Sequence, residues 1–459
     1  MIHKFSQGGY YMILDVNSNA FFTVDEPAYA LADYAGAGMT EHIPEAALTA
    51  LTPRFARADL EESWAELYEL YQKGMLDSPD DFMRYGKAGE ESPIKSMCLN
   101  VAHDCNLRCQ YCFASTGDFG GGRKLMPFEV GKAAIDFLLE KSGSRRNLEV
   151  DLFGGEPMMN FDVVKRIVAY AREAEKAKGK NIRFTTTTNA MLLDDEKINF
   201  INREMSNVVL SIDGRREVND RMRRRVDGSG SYDTIMPHIR KLVVGRGDKT
   251  YYVRGTYTRE NLDFSKDVLH LVDEGFDEVS VEPVVGAESD PYSIRREDLP
   301  RIFAEYDTLA DEMVRRFRAG RGFNFFHFMI DLDEGPCLIK LMRGCGCGNE
   351  YVAVTPEGDI YPCHQFVGKP EFIMGNVMNP GEKLVRTDMK EQFSRANLTT
   401  KQGCAQCWAK FFCGGGCNAN NYAYEGDILH PMGISCELER KRVECALMLH
   451  AAKEEMGAD

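Results

Sequence analysis

Residues 104–113 read Asp104-Cys105-Asn106-Leu107-Arg108-Cys109-Gln110-Tyr111-Cys112-Phe113, a C-x3-C-x2-C run with an aromatic residue directly before the third cysteine. Three thiolates on one short loop can hold three corners of a [4Fe–4S] cubane, which leaves one iron without a protein ligand. That iron can bind a small molecule through nitrogen and oxygen and pass it an electron. The alternative is zinc, but zinc loops usually combine two C-x2-4-C pairs, which this triplet does not provide.

The fourteen cysteines of the chain are clustered. Four lie between 98 and 112 and ten between 337 and 445, with none from 113 to 336. Thiols scattered through an ordinary core would not leave such a gap. We therefore predict two metal-bearing regions rather than a set of disulfides.

Length and composition exclude several classes of protein. The chain has 459 residues, of which 44% are hydrophobic and 28% charged, a globular balance with room for about two to four domains. The net charge of −15 argues against nucleic-acid binding, which needs a basic surface. No apolar run approaches the roughly 18 residues of a membrane span, and the N-terminus lacks the apolar core of a signal peptide. We predict a cytoplasmic protein with no membrane and no nucleic-acid partner.

Strand and helix patterns alternate from 95 to about 335. The predicted strands are 97–102, 148–153, 182–188, 207–212, 251–257 and 278–283. Helical patterns lie between them, for example at 161–178, 232–244 and 297–319. This alternation predicts an α/β fold with βα units around a parallel sheet. The cysteine loop follows the first strand, so it lies at the carboxyl end of the sheet, where α/β folds place their sites.

The cysteine run resembles that of radical S-adenosylmethionine (SAM) enzymes. Two further segments support the resemblance: Gly154-Gly155-Glu156-Pro157, one βα unit later, and Ser211-Ile212-Asp213-Gly214 after the fourth strand. The resemblance implies a partial (β/α)6 barrel over 95–335. It also implies a cluster on Cys105, Cys109 and Cys112 whose reduced form cleaves SAM to a hydrogen-abstracting radical.

The same resemblance implies which residues contact SAM. The cofactor-binding candidates are Gly154, Gly155 and Glu156 for the amino group, Ser211 and Asp213 near the ribose and methionine, Arg223 for the carboxylate, Asn189 (with Thr187 and Thr188) at the end of the third strand, and Phe113 over the cluster or the adenine. Arg223 belongs to the run Arg221-Met222-Arg223-Arg224-Arg225, which can also be a solvated helix face. The sequence alone does not single out one of these arginines.

The second cysteine region resembles the SPASM extension, which holds two auxiliary [4Fe–4S] clusters and brings the expected total to three. A C-x2-C-x5-C-x3-C run follows a G-x4-C motif at 358–363, and a zinc ribbon would explain only the C-x2-C pair. The resemblance assigns Cys404, Cys407, Cys413 and Cys436 to one cluster, and Cys345, Cys363 and Cys417 to the other, whose fourth ligand is Cys347, Cys337 or absent. Cys98 and Cys445 are predicted to be ordinary buried thiols.

The two ends of the chain complete the predicted organisation. Residues 1–85 contain strand patterns at 9–16 and 20–24, followed by helical patterns at 26–35, 43–51 and 60–73. This order resembles the winged-helix-like element that captures a leader peptide as an extra strand, with a generic α+β cap as the alternative. Residues 86–93 are predicted to be a linker, and 336–450 the SPASM domain.

Several segments, Gly8–Asp15, Gly117–Gly121 and Thr355–Phe366, resemble maturases of six-cysteine (SCIFF) peptides. That family joins a cysteine sulfur to a carbon of another residue, giving a sactipeptide or ranthipeptide thioether. The resemblance implies a cysteine-rich precursor bound through its leader and a low-potential donor of flavodoxin or ferredoxin type. The alternatives are a formylglycine-forming sulfatase maturase and a non-catalytic Fe–S scaffold. Sulfatase maturases carry an aspartate where this chain has His364, itself a candidate base.

Overall fold

The computed structural model describes residues 1–81, 92–287, 289–330, 332, 338–379 and 386–457. Most of the predicted linker, at 86–91, and the candidate ligand Cys337 lie outside the described residues. The first elements of the chain are β1 (Ile2–Gln7), β2 (Tyr10–Asp15), β3 (Ala20–Val24), α1 (Glu26–Leu31), α2 (Glu45–Leu51) and α3 (Arg57–Gln72). The three strands form an antiparallel sheet in the order β1-β2-β3.

The N-terminal sheet confirms two predicted strands and adds one that the sequence pattern missed. β1 shows no clear alternation of apolar and polar residues, so its pattern did not indicate a strand. The turn that joins it to β2 is Gly8-Gly9, with φ of 61° and 87°, and a two-glycine turn is a hairpin signal. The helices of this unit build a small core of their own around Leu31, Trp64 and Leu67.

The central elements follow the predicted alternation. They are β4 (Ser96–His103), β5 (Leu107–Cys109), β6 (Lys124–Leu125), α4 (Phe128–Lys141), β7 (Asn147–Gly154), α5 (Phe161–Lys178), β8 (Asn181–Thr188), α6 (Asp195–Glu204), β9 (Met205–Ser211), α7 (Arg216–Met222), β10 (Arg223–Arg225), α8 (Tyr232–Val244), β11 (Thr250–Tyr257), α9 (Ser265–Asp273), β12 (Glu278–Pro283), α10 (Leu299–Arg318) and β13 (Asn324–Phe325). All six predicted strands are present, and α5 and α8 have the predicted bounds.

The C-terminal elements extend the same sheet. They are α11 (Leu338–Arg343), β14 (Tyr351–Val354), β15 (Asp359–Tyr361), β16 (Gly375–Asn376), α12 (Thr387–Arg395), α13 (Lys410–Cys413), α14 (Asn418–Glu425) and α15 (Gly433–Glu455). The main sheet has the order β13-β12-β11-β9-β8-β7-β4-β14-β15-β16, with β6 attached to β4. β14 pairs parallel to β4, so the strand that precedes the G-x4-C motif continues the central sheet.

Burial alternates along the central strands and defines an inner face. In β7, Leu148, Val150 and Leu152 are fully buried, whereas Asp151 and Phe153 are half-buried. β8 repeats the pattern, with half-buried Thr185 and Thr187 on the same side. The buried residues therefore belong to the helix-covered layer. The half-buried residues Asp151, Phe153, Thr185 and Thr187 lie on the opposite face of the sheet, which we call the chamber. No helix among the described residues has the length and apolarity needed to cross a bilayer.

Candidate functional site

The first cysteine loop lies directly after β4, at the carboxyl edge of the sheet. β5 ends with Cys109 and pairs antiparallel with β10, which places Cys109 opposite Arg223. Burial raises the pKa of Cys105 to about 12 and that of Cys109 to about 11, and neighbouring thiols, including that of Cys112, add to both shifts. The three thiols therefore lie together. Because the thiolate is the metal ligand, cation binding has to offset the cost of deprotonating them.

Glycines allow the neighbouring loops to pack against this cysteine loop. A Cβ at Gly117 would lie 2.6 Å from the Cβ of Cys105, and one at Gly155 would collide with the carbonyl oxygen of Asp104. The same approach lets the amide of Glu156 donate to Asp104 O at 2.8 Å. The Gly154-Gly155 pair, predicted as a SAM contact, thus also fixes the position of the cysteine loop.

Glu156 is buried and its carboxylate is already engaged. It accepts hydrogen bonds from Met158 N at 3.0 Å, Thr188 Oγ1 at 2.8 Å and Asn189 N at 2.8 Å. Burial raises the pKa of Glu156 to about 7 although these hydrogen bonds oppose the shift. The side chain of Asn189 continues toward the cysteines, with its Nδ2 3.6 Å from Cys105 Sγ. Glu156 therefore ties the end of β8 to the loop after β7.

Asp213 is fully buried and joins the cysteine loop to β10. Tyr111 Oη donates to both its oxygens, at 2.8 and 2.7 Å, and Arg223 Nε donates to Oδ1 at 2.9 Å. The Asp213 charge keeps the pKa of Arg223 well above its ordinary value despite burial. By contrast, Arg221 pairs with Glu260 on the surface. The sequence motif places Tyr111 directly before the third cysteine but does not predict it as a site residue.

The chamber brings the two cysteine regions into contact through aromatic rings. Phe113 follows Cys112, is 49% exposed, and lies 5.7 Å from the ring of His364, centroid to centroid. His364 also lies 5.0 Å from Phe153 and its Nδ1 is 3.1 Å from Tyr351 Oη. Burial, assisted by the positive charge of Arg254, lowers the pKa of His364 to about 4. The predicted base is therefore a neutral, hydrogen-bonded side chain at the chamber.

Four thiols that include the predicted ligands form what we call the first auxiliary group: Cys345, Cys347, Cys363 and Cys417. The thiol of Cys347 is hydrogen-bonded to that of Cys363, and this bond lowers the pKa of Cys363. Burial raises the pKa of Cys347, and the same hydrogen bond adds to that rise. Among the two candidates for a fourth ligand, the described residues thus bring Cys347 to the group.

The second auxiliary group consists of the other four predicted ligands: Cys404, Cys407, Cys413 and Cys436. All four line one cavity of about 360 Å³. Burial raises the pKa of Cys404 to about 11 and that of Cys413 to about 12. Cys98 and Cys445 are buried elsewhere.

The donor sets fit iron–sulfur clusters. Each group supplies three or four thiols, and the four thiols of the second auxiliary group line one partly open cavity that also contains charged side chains such as Glu439 and Arg440. In the first auxiliary group, the buried amide of Asn349, two residues after Cys347, has no hydrogen-bond partner in the described part of the chain. In those same residues, no three His, Cys, Asp or Glu side chains converge as ligands of a single metal ion.

Comparison with protein families accounts for this arrangement. Residues 99–262 match the radical SAM superfamily, and residues 345–408 match SPASM, the iron–sulfur cluster-binding domain. The chain is a radical SAM enzyme with a SPASM domain. Its α/β fold is a partial radical SAM barrel with the SPASM region at the C-terminal side, and its cofactors are SAM and [4Fe–4S] clusters.

Individual relatives of this radical SAM enzyme are distant. It is 23% identical to a cysteine-type anaerobic sulfatase-maturating enzyme of Clostridium novyi over 346 residues, 71% of this chain and 89% of that protein. The structure of native anSMEcpe with bound AdoMet and Cp18Cys peptide matches with a TM-score of 0.65 and 18% identity, covering 79% of this chain and all of that one. Streptococcus suis SuiB bound to precursor peptide SuiA matches with a TM-score of 0.51 and 16% identity, covering 95% and 98%.

Proposed function

We propose that this enzyme installs intrapeptide thioether crosslinks, from a cysteine sulfur to a carbon of an acceptor residue, in a cysteine-rich ribosomal precursor peptide. The observation that carries the proposal is the contact between Phe113 and His364, at 5.7 Å. These residues directly follow Cys112 and Cys363, so a peptide in the chamber would lie near both cysteine regions. When bound, the clusters and SAM supply hydrogen abstraction and an acceptor for the remaining electron.

The chain's own residues would orient SAM at the open side of the first cysteine loop. Because Arg223 uses Nε to bind Asp213, its remaining guanidinium nitrogens are the donors we assign to the SAM carboxylate. Glu156 already accepts three hydrogen bonds, so we assign it to holding the Gly154-Gly155 loop, whose backbone would meet the SAM ammonium. Phe113 would cover the adenine or the cluster.

Asn189 and Ser211 are the remaining proposed SAM contacts. Asn189 donates to Asn106 Oδ1 at 2.8 Å, which holds its amide beside the first cysteine loop. Ser211 ends β9 in register with Arg254 of β11, on the half-buried side of the sheet. Both positions lie at the carboxyl edge of neighbouring strands, where a ligand that reaches across the loop would pass.

We propose that the N-terminal unit, 1–85, captures the leader peptide as an additional strand on β3. β1 and β3 are the two outer strands of this sheet in the described part of the chain, and β1 is the one whose His3 stacks on Trp408 of the C-terminal region and which contacts the last helix. An exposed edge offers unpaired backbone groups to an extended peptide. The structural match to SuiB covers 95% of the chain and that to anSMEcpe 79%. The wider match is to a structure solved with a bound precursor peptide, which supports a peptide substrate for this enzyme.

Cys347 is the residue we assign as fourth ligand of the first auxiliary group. Its thiol is hydrogen-bonded to that of Cys363, which is one of the three ligands expected there. With four ligands this cluster has no open iron, so a substrate thiolate would reach it only by displacing one of them. Without such a displacement, side chains of the chamber, and not an iron of the cluster, would position the substrate sulfur.

A formylglycine-forming activity is the second candidate, favoured by the similarity to the sulfatase-maturating enzyme. The His364 position argues against it, since the resemblance calls for an aspartate base there, and burial lowers the pKa of His364 to about 4. The chemical outcomes also differ, because formylglycine formation removes sulfur from the modified cysteine, whereas a thioether retains it.

The test is anaerobic turnover with tandem mass spectrometry. The reconstituted enzyme is incubated with SAM, a reductant and the cysteine-rich peptide encoded beside its gene. We expect deoxyadenosine, loss of two hydrogens per crosslink and cysteines that resist alkylation. Loss of sulfur would support the second candidate instead. The matched control is Cys105→Ala, which should abolish both products. If the reconstituted protein forms no deoxyadenosine, the proposal of a catalytic role is wrong, and a non-catalytic Fe–S scaffold is favoured.

A further inference from the structure

Lys401 is a buried lysine of the SPASM region, with 3% of its surface exposed. Its Nζ donates to the carbonyl oxygens of Gly415, at 2.7 Å, and Gly416, at 3.3 Å. Among the described residues, no carboxylate acts on it as a counter-charge. An ammonium buried without a counter-charge is costly, so something at this place must stabilise it.

The two carbonyls belong to the segment that joins the auxiliary groups. Residues 413–417 read Cys413-Gly414-Gly415-Gly416-Cys417, with a ligand of the second group at one end and a ligand of the first group at the other. The three glycines have φ of 64°, 88° and 70°, a conformation that side chains rarely adopt. A Cβ at Gly415 would lie 2.8 Å from Lys401 Cδ. The glycines thus turn carbonyls toward Lys401 and leave room for its stem.

The sulfurs that act on Lys401 come from both auxiliary groups. They are Cys404 and Cys413 of the second group, and Cys417 and Cys345 of the first. Burial lowers the pKa of Lys401, and these four sulfurs oppose the shift. The geometry agrees, because Cys404 N donates to Lys401 O at 3.2 Å and Gly415, whose carbonyl binds Lys401 Nζ, lies two residues from both Cys413 and Cys417. Lys401 therefore lies within electrostatic reach of both groups.

We propose that Lys401 is a positioning residue for electron transfer, whose ammonium between the two auxiliary groups raises the reduction potentials of both clusters. This inference rests on the proposed function in that both groups hold a cluster. A cubane held by thiolates is anionic and becomes more so on reduction, so a nearby cation favours the reduced form. Because Lys401 is buried, salt screens its charge little, and one residue can act on two clusters.

The experiment is a redox titration followed by EPR on the full-length, reconstituted protein. Lys401→Met keeps most of the side-chain volume and removes the charge, whereas Lys401→Arg retains the charge. The double variant Asp80→Asn/Lys410→Met is the matched control, because it removes a buried lysine that lines the cavity of the second auxiliary group together with the carboxylate paired with it at 2.6 Å, so that the net charge there does not change. We expect Lys401→Met to lower both auxiliary midpoint potentials and to leave that of the SAM cluster in place. Lys401→Arg should stay near wild type.

Iron per chain and circular dichroism, measured first, separate the outcomes. Unshifted midpoints in fully loaded Lys401→Met would overturn the inference and leave the proposed function standing. A wild-type protein without auxiliary cluster signals would overturn the cluster assignment itself. If Lys401→Met loses iron, Lys401→Arg decides. If Lys401→Arg keeps its iron and the wild-type midpoint potentials, the positive charge is what matters. If Lys401→Arg loses as much iron as Lys401→Met, Lys401 has only a structural role. Midpoints shifted as far by the double variant Asp80→Asn/Lys410→Met as by Lys401→Met would also overturn the inference.

Discussion

Replacing Asp80 by asparagine is expected to loosen the second auxiliary group, although Asp80 belongs to the N-terminal unit. Lys410 begins the helix that ends at Cys413, and its side chain is fully buried. Its Nζ bonds to Asp80 Oδ2 at 2.6 Å and to Ala405 O at 3.3 Å. In Asp80→Asn the fully buried ammonium would meet an amide in place of the carboxylate, and its other hydrogen-bond partner given above, Ala405 O, is neutral.

The magnitude follows from the unequal burial of the two partners. Removing one partner of a fully buried ion pair costs about 3–5 kcal/mol. Asp80 is 33% exposed, so the asparagine amide and water offset part of this, and we expect about 2–3 kcal/mol. That corresponds to about a 30- to 160-fold rise in the opened population. Lys410→Met leaves a carboxylate that is partly solvated, so we expect a loss of only about 1 kcal/mol.

The assay is anaerobic transfer of iron to a chelator, which reports opening of the cluster site. Asp80→Asn should release iron from the second auxiliary group fastest, with Lys410→Met slower and the double variant close to Lys410→Met. Glu61→Gln is the matched control, since it breaks an exposed pair with Arg57 in the same unit and such pairs contribute little. The reasoning would be refuted if Asp80→Asn released iron at the wild-type rate, or if Lys410→Met released iron faster than Asp80→Asn.

Three further substitutions test the cysteine loops. Gly155→Ala sets a methyl group against Asp104 O, so we expect selective loss of the SAM cluster and of about one third of the iron; an even loss from all clusters would contradict this. Tyr111→Phe removes the donor to Asp213, worth about 1–2 kcal/mol, and should weaken SAM binding in equilibrium dialysis with iron unchanged. Cys347→Ala should open one iron of the first auxiliary cluster and change its EPR signal, whereas an unchanged spectrum would exclude Cys347 as a ligand.

The strands of the barrel could be predicted because each alternates between a helix-covered and a chamber-facing side. β14 could not, since four residues of it pair with β4 across some 250 positions of sequence, from Tyr351 to Ser96. Short strands carry little pattern, and their pairing depends on tertiary packing. β1 was missed for the related reason that its residues do not alternate, although the glycine turn beside it was a usable signal.

At the site, the grouping of the cysteines came from the resemblance to radical SAM and SPASM sequences, and the role of each thiol as a ligand stays a prediction. The sequence alone could not rank the arginines of residues 221–225, since the choice of Arg223 depends on the antiparallel pairing of β10 with β5. Nor could it show that Glu156 is buried and bound to backbone amides. Charged residues change role with burial, and burial is a property of the whole fold.

The contacts of the N-terminal sheet predict that the proposed leader binding would be coupled to the stability of the second auxiliary cluster. His3, on β1, stacks on Trp408 with ring centroids 3.6 Å apart and planes 5° from parallel, and Trp408 directly follows Cys407. A leader bound on β3 would stabilise the same sheet from its other edge and would bind only where that sheet is formed. By linkage, any ligand that requires the folded sheet also stabilises whatever the sheet supports. We therefore expect saturating leader peptide to slow iron release from the second auxiliary group, and to slow it less in His3→Ala, where the contact with Trp408 is lost.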